Sequence, residues 1–332
     1  MSIPDTAAAY MRRMKERVRE LRPRRRIVFP EGADPRVISA AARLSSDELV
    51  DPVLIGPAPR PAPAGVRFLE PGASPKLAAY TRQYYERRRA KGITEMEAAQ
   101  IARRPLYFSA LMVAANDADG FVGGAVNTTA ETVRAALHCI GTAKDVKTVS
   151  SVFIMAVPDP LAGHNGLLAF ADCAVVIEPA AVELAEIAIT TARNTQALMD
   201  VEPVVALLSY STKGSGKGKR IDTVVEALRI VKARAPHLHV DGELQADAAL
   251  VEAIGRSKAP GSTVAGRANT LIFPDLMSGN ICYKMVERLA GAAAIGPFLQ
   301  GLARPANDLS RGCSEEDVYN VAIVTALQTE IR

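Results

Sequence analysis

Short apolar runs that alternate with helical segments constrain the fold of this chain most. Val149–Val157 and Ala171–Ile177 are nearly unbroken apolar runs of strand length, which is typical of strands buried on both faces. A helical pattern follows over Ala180–Thr195, and the next strand pattern covers Val204–Tyr210. This alternation predicts an α/β fold with mainly parallel sheets and helices on both faces of each sheet.

Length and composition set the broad limits. A chain of 332 residues favours about two domains, and an apolar content of 48% can fill sizeable cores. The formal net charge of +4 is mild, so we expect no nucleic acid partner. We expect neither a signal peptide nor a membrane span, because no stretch reaches about 18 apolar residues.

The four cysteines form no C-x-x-C pair and the histidines show no metal-ligand spacing. Reduced thiols, a cytoplasmic location and no bound metal are therefore expected.

The segment Asn307–Val318, N-D-L-S-R-G-C-S-E-E-D-V, brings three reactive groups together just before a C-terminal helical pattern. The Ser310 hydroxyl can hydrogen-bond an oxyanion, and the Arg311 guanidinium can hold a phosphate through parallel N–H bonds. The Asp317 carboxylate can accept a proton. A structural interpretation stays open, in which Ser314 is the N-cap of the last helix and Asp317 completes a capping box.

Two further corners carry polar groups. Gly123–Thr129 turns from a strand into a helix, where Thr128 and Thr129 can bind an anion at the helix N-terminus or serve as an ordinary N-cap. Arg134 follows about one turn later. The helix that follows Phe273 carries Asn280, Tyr283 and Lys284, and the lysine can instead be a solvated surface residue.

The loop Ser211–Lys219, S-T-K-G-S-G-K-G-K, lies between a predicted strand and a predicted helix. Gly216-Lys217 is followed by Gly218, so the pattern G-x-x-x-x-G-K-[ST] is not met and a P-loop NTPase is rejected. A flexible basic loop can still contact a phosphate through its backbone N–H groups. The alternative is a mobile surface loop.

Eight collinear blocks resemble the phosphate acetyltransferase (phosphotransacetylase) family over almost the whole chain from about Arg24. The blocks are R-I-V-F-P-E-G-A-D-P-R (Arg26–Arg36), Y-Y-E-R-R-R-A-K-G (Tyr84–Gly92), D-A-D-G-F-V-G-G-A-V-N-T-T (Asp117–Thr129), F-A-D-C-A-V-V (Phe170–Val176), L-L-S-Y-S-T-K-G-S (Leu207–Ser215), D-G-E-L-Q-A-D-A-A (Asp241–Ala249), L-I-F-P-D-L-M-S-G-N-I-C-Y-K (Leu271–Lys284) and Asn307–Val318.

The resemblance implies the reaction acetyl-CoA + phosphate ⇌ acetyl phosphate + CoA. It implies two three-layer α/β domains of isocitrate dehydrogenase type with an active-site cleft between them. The first domain is expected to be discontinuous, from 1–148 and 297–332, and the second to cover 149–296. A homodimer formed through the second domain is implied as well.

The resemblance also assigns roles. Asp317 is expected to be the general base, and burial is expected to make it a stronger base. Ser310 and Arg311 match the family's other catalytic groups, and Arg88 and Arg134 match its CoA-contacting arginines. We expect the substrate-binding set to include also Thr128, Thr129, Asn280, Tyr283 and Lys284. Coenzyme A is then a substrate, and no permanently bound cofactor is expected.

Two alternatives remain open at this point. One is a phosphate butyryltransferase or another relative acting on longer acyl chains. The other is a non-catalytic module that senses acyl-CoA, which the intact serine, arginine and aspartate of the C-terminal segment argue against.

Overall fold

A computed structural model describes residues 3–331, which divide into two compact units. The first unit consists mainly of Arg12–Lys144 and Leu302–Glu330, and the second of 3–11 with Asp145–Gly301. The domain limits expected at 148/149 and 296/297 remain predictions, and the outer limits 1 and 332 lie outside the described residues.

The elements are named in chain order. The strands are β1 (Arg25–Phe29), β2 (Val50–Ile55), β3 (Arg67–Leu69), β4 (Gly120–Gly123), β5 (Ser150–Ala156), β6 (Leu167–Ala171), β7 (Val204–Leu208), β8 (His239–Leu244), β9 (Thr270–Ile272), β10 (Ala293–Gln300) and β11 (Ala306–Asp308). The helices are α1 (Asp5–Glu20), α2 (Pro35–Ser46), α3 (Leu77–Arg88), α4 (Glu95–Ala102), α5 (Pro105–Ala114), α6 (Thr129–Cys139), α7 (Ala181–Met199), α8 (Lys219–Arg234), α9 (Ala246–Leu250), α10 (Glu252–Lys258), α11 (Leu276–Leu289) and α12 (Glu315–Gln328).

The first unit is built on a five-stranded parallel sheet with the order β11-β4-β1-β2-β3. Helices α2 and α12 pack together on one face, and α3, α5 and α6 pack together on the other. The chain leaves β1 towards β2 but later returns to its other side as β4. The crevice beyond the carboxyl ends of β1 and β4 is therefore the topological switch point, where ligands of such sheets usually bind.

The second unit is built on a six-stranded sheet with the order β10-β5-β6-β9-β7-β8. The neighbouring strands β6, β9, β7 and β8 pair in parallel. Strand β5 pairs antiparallel with both β6 and β10. Helix α7 packs on one face together with α8, and α11 packs against β6 and β10. The expected α/β class with mainly parallel sheets is confirmed.

Local sequence signals explain where several helices begin. Asp34 is the N-cap of α2 and accepts a hydrogen bond from the Arg36 backbone, while Pro35 occupies the first turn. Thr94 and Glu97 form the capping box of α4. Among the described helices, none combines the length and the apolar character needed to cross a bilayer.

Candidate active site

The C-terminal segment places its three reactive residues on a short loop and the first turn of α12 in the first unit. Strand β11 ends at Asp308, and the Leu309 amide donates to the Gly123 carbonyl oxygen at 2.6 Å, which anchors the loop to the end of β4. A turn follows, in which the Cys313 amide donates to the Ser310 carbonyl oxygen at 2.8 Å. Ser310, Arg311 and Asp317 are all exposed.

Asp317 has the structural role that the sequence left open. Its Oδ2 accepts hydrogen bonds from the Ser314 amide at 2.8 Å and the Ser314 hydroxyl at 2.9 Å, which completes the capping box of α12. Its Oδ1 has no hydrogen-bond partner within residues 3–331, so one oxygen remains available. The expected burial of this carboxylate is wrong, because a residue at the start of a capped helix faces solvent here.

Ser310 and Arg311 have uncommitted donors. The Ser310 Oγ accepts from the Gly312 amide at 3.2 Å, and no acceptor among the described residues takes its proton. The Arg311 guanidinium makes no hydrogen bond or ion pair with the part of the chain that the structure describes. Arg36 instead fixes the backbone of the loop, because its guanidinium donates to the carbonyl oxygens of Arg311 at 2.9 Å and Cys313 at 2.8 Å.

A second carboxyl group lies beside this loop and was missed from sequence. Asp308 is 2% exposed, and burial raises its pKa to about 6 against opposing hydrogen bonds from Thr129 and Thr132. Its Oδ1 has no hydrogen-bond partner among residues 3–331. The N-D-L-S-R block contains Asp308, but nothing in that pattern shows that the side chain points inward.

The chain itself fills the anion site expected at the Gly123–Thr129 corner. Glu31 Oε1 accepts from the amides of Val126 and Asn127, both at 2.9 Å, and from the Gly124 amide at 3.2 Å. Its Oε2 accepts from the Ala125 amide at 2.8 Å. This carboxylate, 9% exposed, joins the loop after β1 to the loop after β4 and leaves no free cluster of amides there for a ligand phosphate.

The two threonines of this corner have different surroundings. Thr128 is the N-cap of α6 and shares a capping box with Glu131, whose pKa is lowered by the hydrogen bonds from the Thr128 backbone and hydroxyl. Thr129 is exposed and hydrogen-bonds to Asp308. The ordinary N-cap interpretation therefore holds for Thr128.

Arg88 and Arg134 lie around a shared group of aromatic residues in the first unit. The Tyr84 hydroxyl lies 3.3 Å from His138 Nδ1, and Tyr84 and Tyr107 pack edge to face. Burial lowers the pKa of His138, and the charges of Arg88 and Arg134 lower it further. The positive charges of Arg88 and Arg134 therefore both act on this ring.

The structure separates Arg88 from its two neighbours. Arg87 donates to the carbonyl oxygens of His138 and Ile140, both at 3.2 Å, and so caps the end of α6. Arg89 pairs with Glu86 at 3.2 Å on the surface. Arg88 contacts the Tyr84 hydroxyl instead, so it is the arginine of this run that faces the aromatic group.

The remaining candidates lie on α11 in the second unit. Asn280 Nδ2 donates to the Cys173 carbonyl oxygen at 3.0 Å, which commits its amide group to the loop after β6. Tyr283 stacks on Phe153 with ring centroids 4.3 Å apart. Lys284 is exposed with its Nζ 4.9 Å from the Tyr283 ring centroid.

The Ser211–Lys219 loop is tied to β8 over its first half. Gly214 N donates to Glu243 Oε1 at 2.7 Å, and Lys213 Nζ donates to Asp241 Oδ1 at 2.5 Å. Burial would raise the pKa of Asp241, but hydrogen bonds from Lys213, Ser262 and Gly242 together lower it. The amide groups of this half are hydrogen-bonded within the chain and are not free to bind a phosphate, whereas Lys217 and Lys219 stay exposed.

The described residues hold no group of three or more His, Cys, Asp or Glu side chains placed to bind a metal ion. Together, the α/β fold and an exposed hydroxyl, guanidinium and carboxylate on one segment make this chain a candidate acyltransferase.

Comparison with known proteins gives the family. The family model described as "Phosphate acetyl/butaryl transferase" matches residues 9–326, and this chain belongs to that family. It is 47% identical to a phosphate acetyltransferase of Acetivibrio thermocellus over 311 residues, which cover 92% of this chain and 94% of that protein. It is 48% identical to a phosphate acetyltransferase of Paracoccus denitrificans over 306 residues, covering 92% and 95% respectively.

A solved structure agrees with these sequence relatives. The crystal structure of a phosphotransacetylase from Streptococcus pyogenes is similar with a TM-score of 0.91 and 42% sequence identity, and the match covers 99% of each chain. The chain is thus an acyltransferase that is similar over nearly its full length to proteins named phosphate acetyltransferase.

Proposed function

We propose that this chain catalyses reversible acetyl transfer between coenzyme A and inorganic phosphate, with Asp317 as the general base. The observation that supports the mechanism is that three polar groups on one short segment have no hydrogen-bond partner within the described part of the chain. The Ser310 hydroxyl proton, the Arg311 guanidinium and Asp317 Oδ1 all lack partners among residues 3–331, although they stand within eight positions of one another.

The proposed step is a direct displacement. The CoA thiol gives its proton to Asp317 Oδ1 as the sulfur attacks the carbonyl carbon of acetyl phosphate. Ser310 donates to the carbonyl oxygen while that oxygen carries negative charge, an interaction worth roughly 3 kcal/mol in other acyl-transfer sites. The carbon–oxygen bond to phosphate then breaks, Arg311 neutralises the departing phosphate, and Asp317 returns its proton to the phosphate or to water.

Proton transfer from a thiol to a carboxylate needs assistance from the site. An ordinary aspartate has a pKa of about 3.9 and a thiol about 8.5, so the transfer is uphill in water. Bound substrates that cover the loop would exclude water and hold the sulfur close to the carboxylate. Proximity of this kind can supply a large share of the rate without a covalent enzyme intermediate or a permanently bound cofactor.

We propose that Arg88 and Arg134 hold phosphate groups of coenzyme A, because the charges of both guanidinium groups act on the same aromatic residues, Tyr107 and His138. Lys284, with Tyr283 beside it, offers a cation and a hydroxyl on α11. Thr129 and the backbone around Thr128 would support the loop next to Asp308, and Asn280 would orient α11 through Cys173.

The test of the reaction is thioester formation from acetyl phosphate and CoA, followed by ultraviolet absorbance. The Asp317→Asn variant keeps an oxygen for the cap but cannot accept the thiol proton, so we expect kcat to fall by at least about 100-fold with little change in KM. Glu315→Gln is the matched control, because Glu315 lies in the same first turn and accepts from Ser39 at 2.7 Å.

Equal melting temperatures of the two variants would exclude a folding effect. Near-full activity of Asp317→Asn would remove the general-base role. The same assay with butyryl phosphate separates acetyl from longer acyl substrates, and faster turnover of the butyryl compound would reassign the substrate.

We also propose that the protein is a homodimer that associates through α11. Met277, Ile281, Met285 and Leu289 follow one another at four-residue spacing and are 73%, 52%, 52% and 79% exposed. This spacing places them on one face of the helix. A contiguous apolar stripe of this kind is unusual on a monomer, and a two-fold axis can pair it with its own copy.

A further inference from the structure

His138 is a half-buried titratable residue that the proposed chemistry does not use. It lies in the last turn of α6, which packs against α3 and α5. Its Nδ1 atom is 3.3 Å from the Tyr84 hydroxyl on α3, and its ring centroid is 6.4 Å from that of Tyr107 on α5. The imidazole ring is therefore held by contacts from two neighbouring helices.

The hydrogen bonds around Tyr84 favour the neutral form of His138. Tyr84 is buried, and its hydroxyl contacts both Arg88 and His138. A guanidinium can only donate, so the Tyr84 oxygen accepts from Arg88 and the Tyr84 proton is left for His138 Nδ1. A protonated His138 would carry a hydrogen on Nδ1 and would leave the Tyr84 proton without this acceptor, which costs free energy in a buried place.

The charged side chains that act on His138 are mainly cations from all three helices. Arg88 belongs to α3 and Arg134 to α6, and their charges lower the pKa of His138 further than burial alone. On α5, the guanidinium carbon of Arg104 is 5.3 Å from the centroid of the Tyr107 ring, which borders His138. Neither Arg88 nor Arg134 forms an ion pair within residues 3–331, so both charges can still attract an anion.

Three other groups near the ring do not reverse this balance. Arg87 donates to the carbonyl oxygens of His138 and Ile140, both at 3.2 Å, and so offsets the partial negative charge at the end of α6. Burial raises the pKa of Cys139 to about 12, so its thiol is neutral. Glu131 lies in the first turn of α6, about two turns from His138, and its carboxylate belongs to the capping box there.

A phosphate group bound at Arg88 and Arg134 would change the protonation of His138. Its negative charge opposes the two guanidinium charges that disfavour the imidazolium, so the pKa of His138 rises on binding. A group whose pKa is higher in the bound state takes up a proton during binding. Because the two equilibria are linked, the affinity for the anion then increases as the pH falls.

We propose that His138 couples substrate binding to pH, taking up a proton when the phosphate groups of coenzyme A bind at Arg88 and Arg134 and releasing it when they leave. The inference rests on the proposed function for the assignment of these two arginines to coenzyme A. It gives His138 a part in regulating substrate affinity and none in the chemical step.

Titration calorimetry with coenzyme A at about pH 5.5 and about pH 8, on either side of the ordinary histidine pKa of about 6.5, tests the inference. The ratio of the two affinities should be larger in the wild type than in His138→Gln, on the order of tenfold, because glutamine is polar but does not titrate. The titration of the ligand's own phosphates cancels in this comparison. Near neutral pH, two buffers of different ionisation enthalpy should show greater proton uptake by the wild type than by His138→Gln.

His164→Gln is the matched control. His164 is also half-buried, but it lies in the second unit, where its Nε2 is 3.1 Å from Asn165 Nδ2. This variant should keep the wild-type pH dependence and proton uptake. His138→Asn is a second neutral variant, and the melting temperatures of all variants check that they fold.

A purely structural role of His138 would change the affinity by the same factor at both pH values. Equal pH dependence or equal proton uptake in the wild type and both neutral variants would overturn the inference. Thioester formation is measured on the same preparations, and turnover combined with such equality leaves the acetyl transfer standing. Proton uptake that depends on His138 without wild-type turnover removes the acetyl transfer and keeps the coupling. A wild type that binds no coenzyme A overturns both.

Discussion

At the scale of single residues, Asp308 and Asp317 are two carboxyl groups with opposite surroundings on one segment. Asp317 is exposed and shares one oxygen with a helix cap, whereas Asp308 is buried with Glu31 as its charged neighbour. A buried carboxyl group whose pKa is raised to about 6 favours the folded state when protonated. The contribution of protonated Asp308 to the free energy of unfolding is complete below about pH 4 and is lost as the pH rises through 6.

Asp308→Asn has nearly the same shape and does not titrate. We therefore expect the wild type to lose about 1 kcal/mol of unfolding free energy relative to this variant between pH 5 and pH 8. Urea unfolding of both proteins at the two pH values measures this difference, and other titrating groups cancel in the comparison. A difference between the proteins that does not change with pH would show that Asp308 is ionised throughout.

At the scale of elements, sequence patterns predicted the helices better than the strands. Capping boxes at Thr94 and Ser314 use side chains only three residues apart, so local sequence is enough to place them. The strand expected at Ala171–Ile177 is wrong, because β6 ends at Ala171. Asp172 turns the chain there by accepting from the amides of Ala174, Val175 and Val176, at 2.9, 3.2 and 2.7 Å.

The candidate site shows the same limit. Ser310, Arg311 and Asp317 became candidates because they are close in sequence, and the family resemblance suggested Arg88 and Arg134. Glu31 was missed, because its partners are more than ninety positions away and no local pattern links them. Contacts between residues so far apart in sequence depend on the order of strands in the sheet. The sequence predicted the fold class but not that order.

The position of α11 depends on one glycine. A Cβ atom at Gly279 would lie 2.3 Å from the Asp172 carbonyl oxygen and 3.1 Å from Cys173 Sγ. The carbonyl oxygen belongs to the backbone, so moving it away would cost free energy. We expect Gly279→Ala to lower the unfolding free energy by about 1–3 kcal/mol and to reduce activity by displacing Tyr283 and Lys284.

The sign of this change is informative, because alanine in an ordinary helix interior is more stable than glycine by about 1 kcal/mol. Denaturant unfolding followed by circular dichroism measures it. Gly72→Ala serves as the control, since a Cβ there meets nothing within 4 Å. A Gly279→Ala variant that is stabilised or unchanged would contradict the close contact.

At the scale of the whole molecule, association is the main property left to test. Ile281→Asp places a charge in the middle of the α11 stripe, where a dimer would bury it without a partner. We expect this variant to sediment as a monomer of 35.3 kDa, whereas the wild type should have twice that mass. Val225→Asp on α8 is the matched control, because this β-branched residue is also mid-helix and 46% exposed.

A wild type that sediments as a monomer would rule out the dimer. An Ile281→Asp variant that keeps the doubled mass would place the association on another surface.

The late return of the chain to the first unit has a consequence for synthesis. Strand β4 ends at Gly123 and its neighbour β11 begins at Ala306, so residues 124–305 must be made before the sheet gains that strand. At about 5–20 residues per second, the ribosome needs on the order of ten to forty seconds for this stretch. Throughout that time the nascent sheet has an open edge at β4, and no reactive serine, arginine or aspartate from the last segment exists. If Ser310, Arg311 and Asp317 act as proposed, only a chain that has been translated almost to its last helix can act on its substrates, and prematurely terminated products lack all three residues.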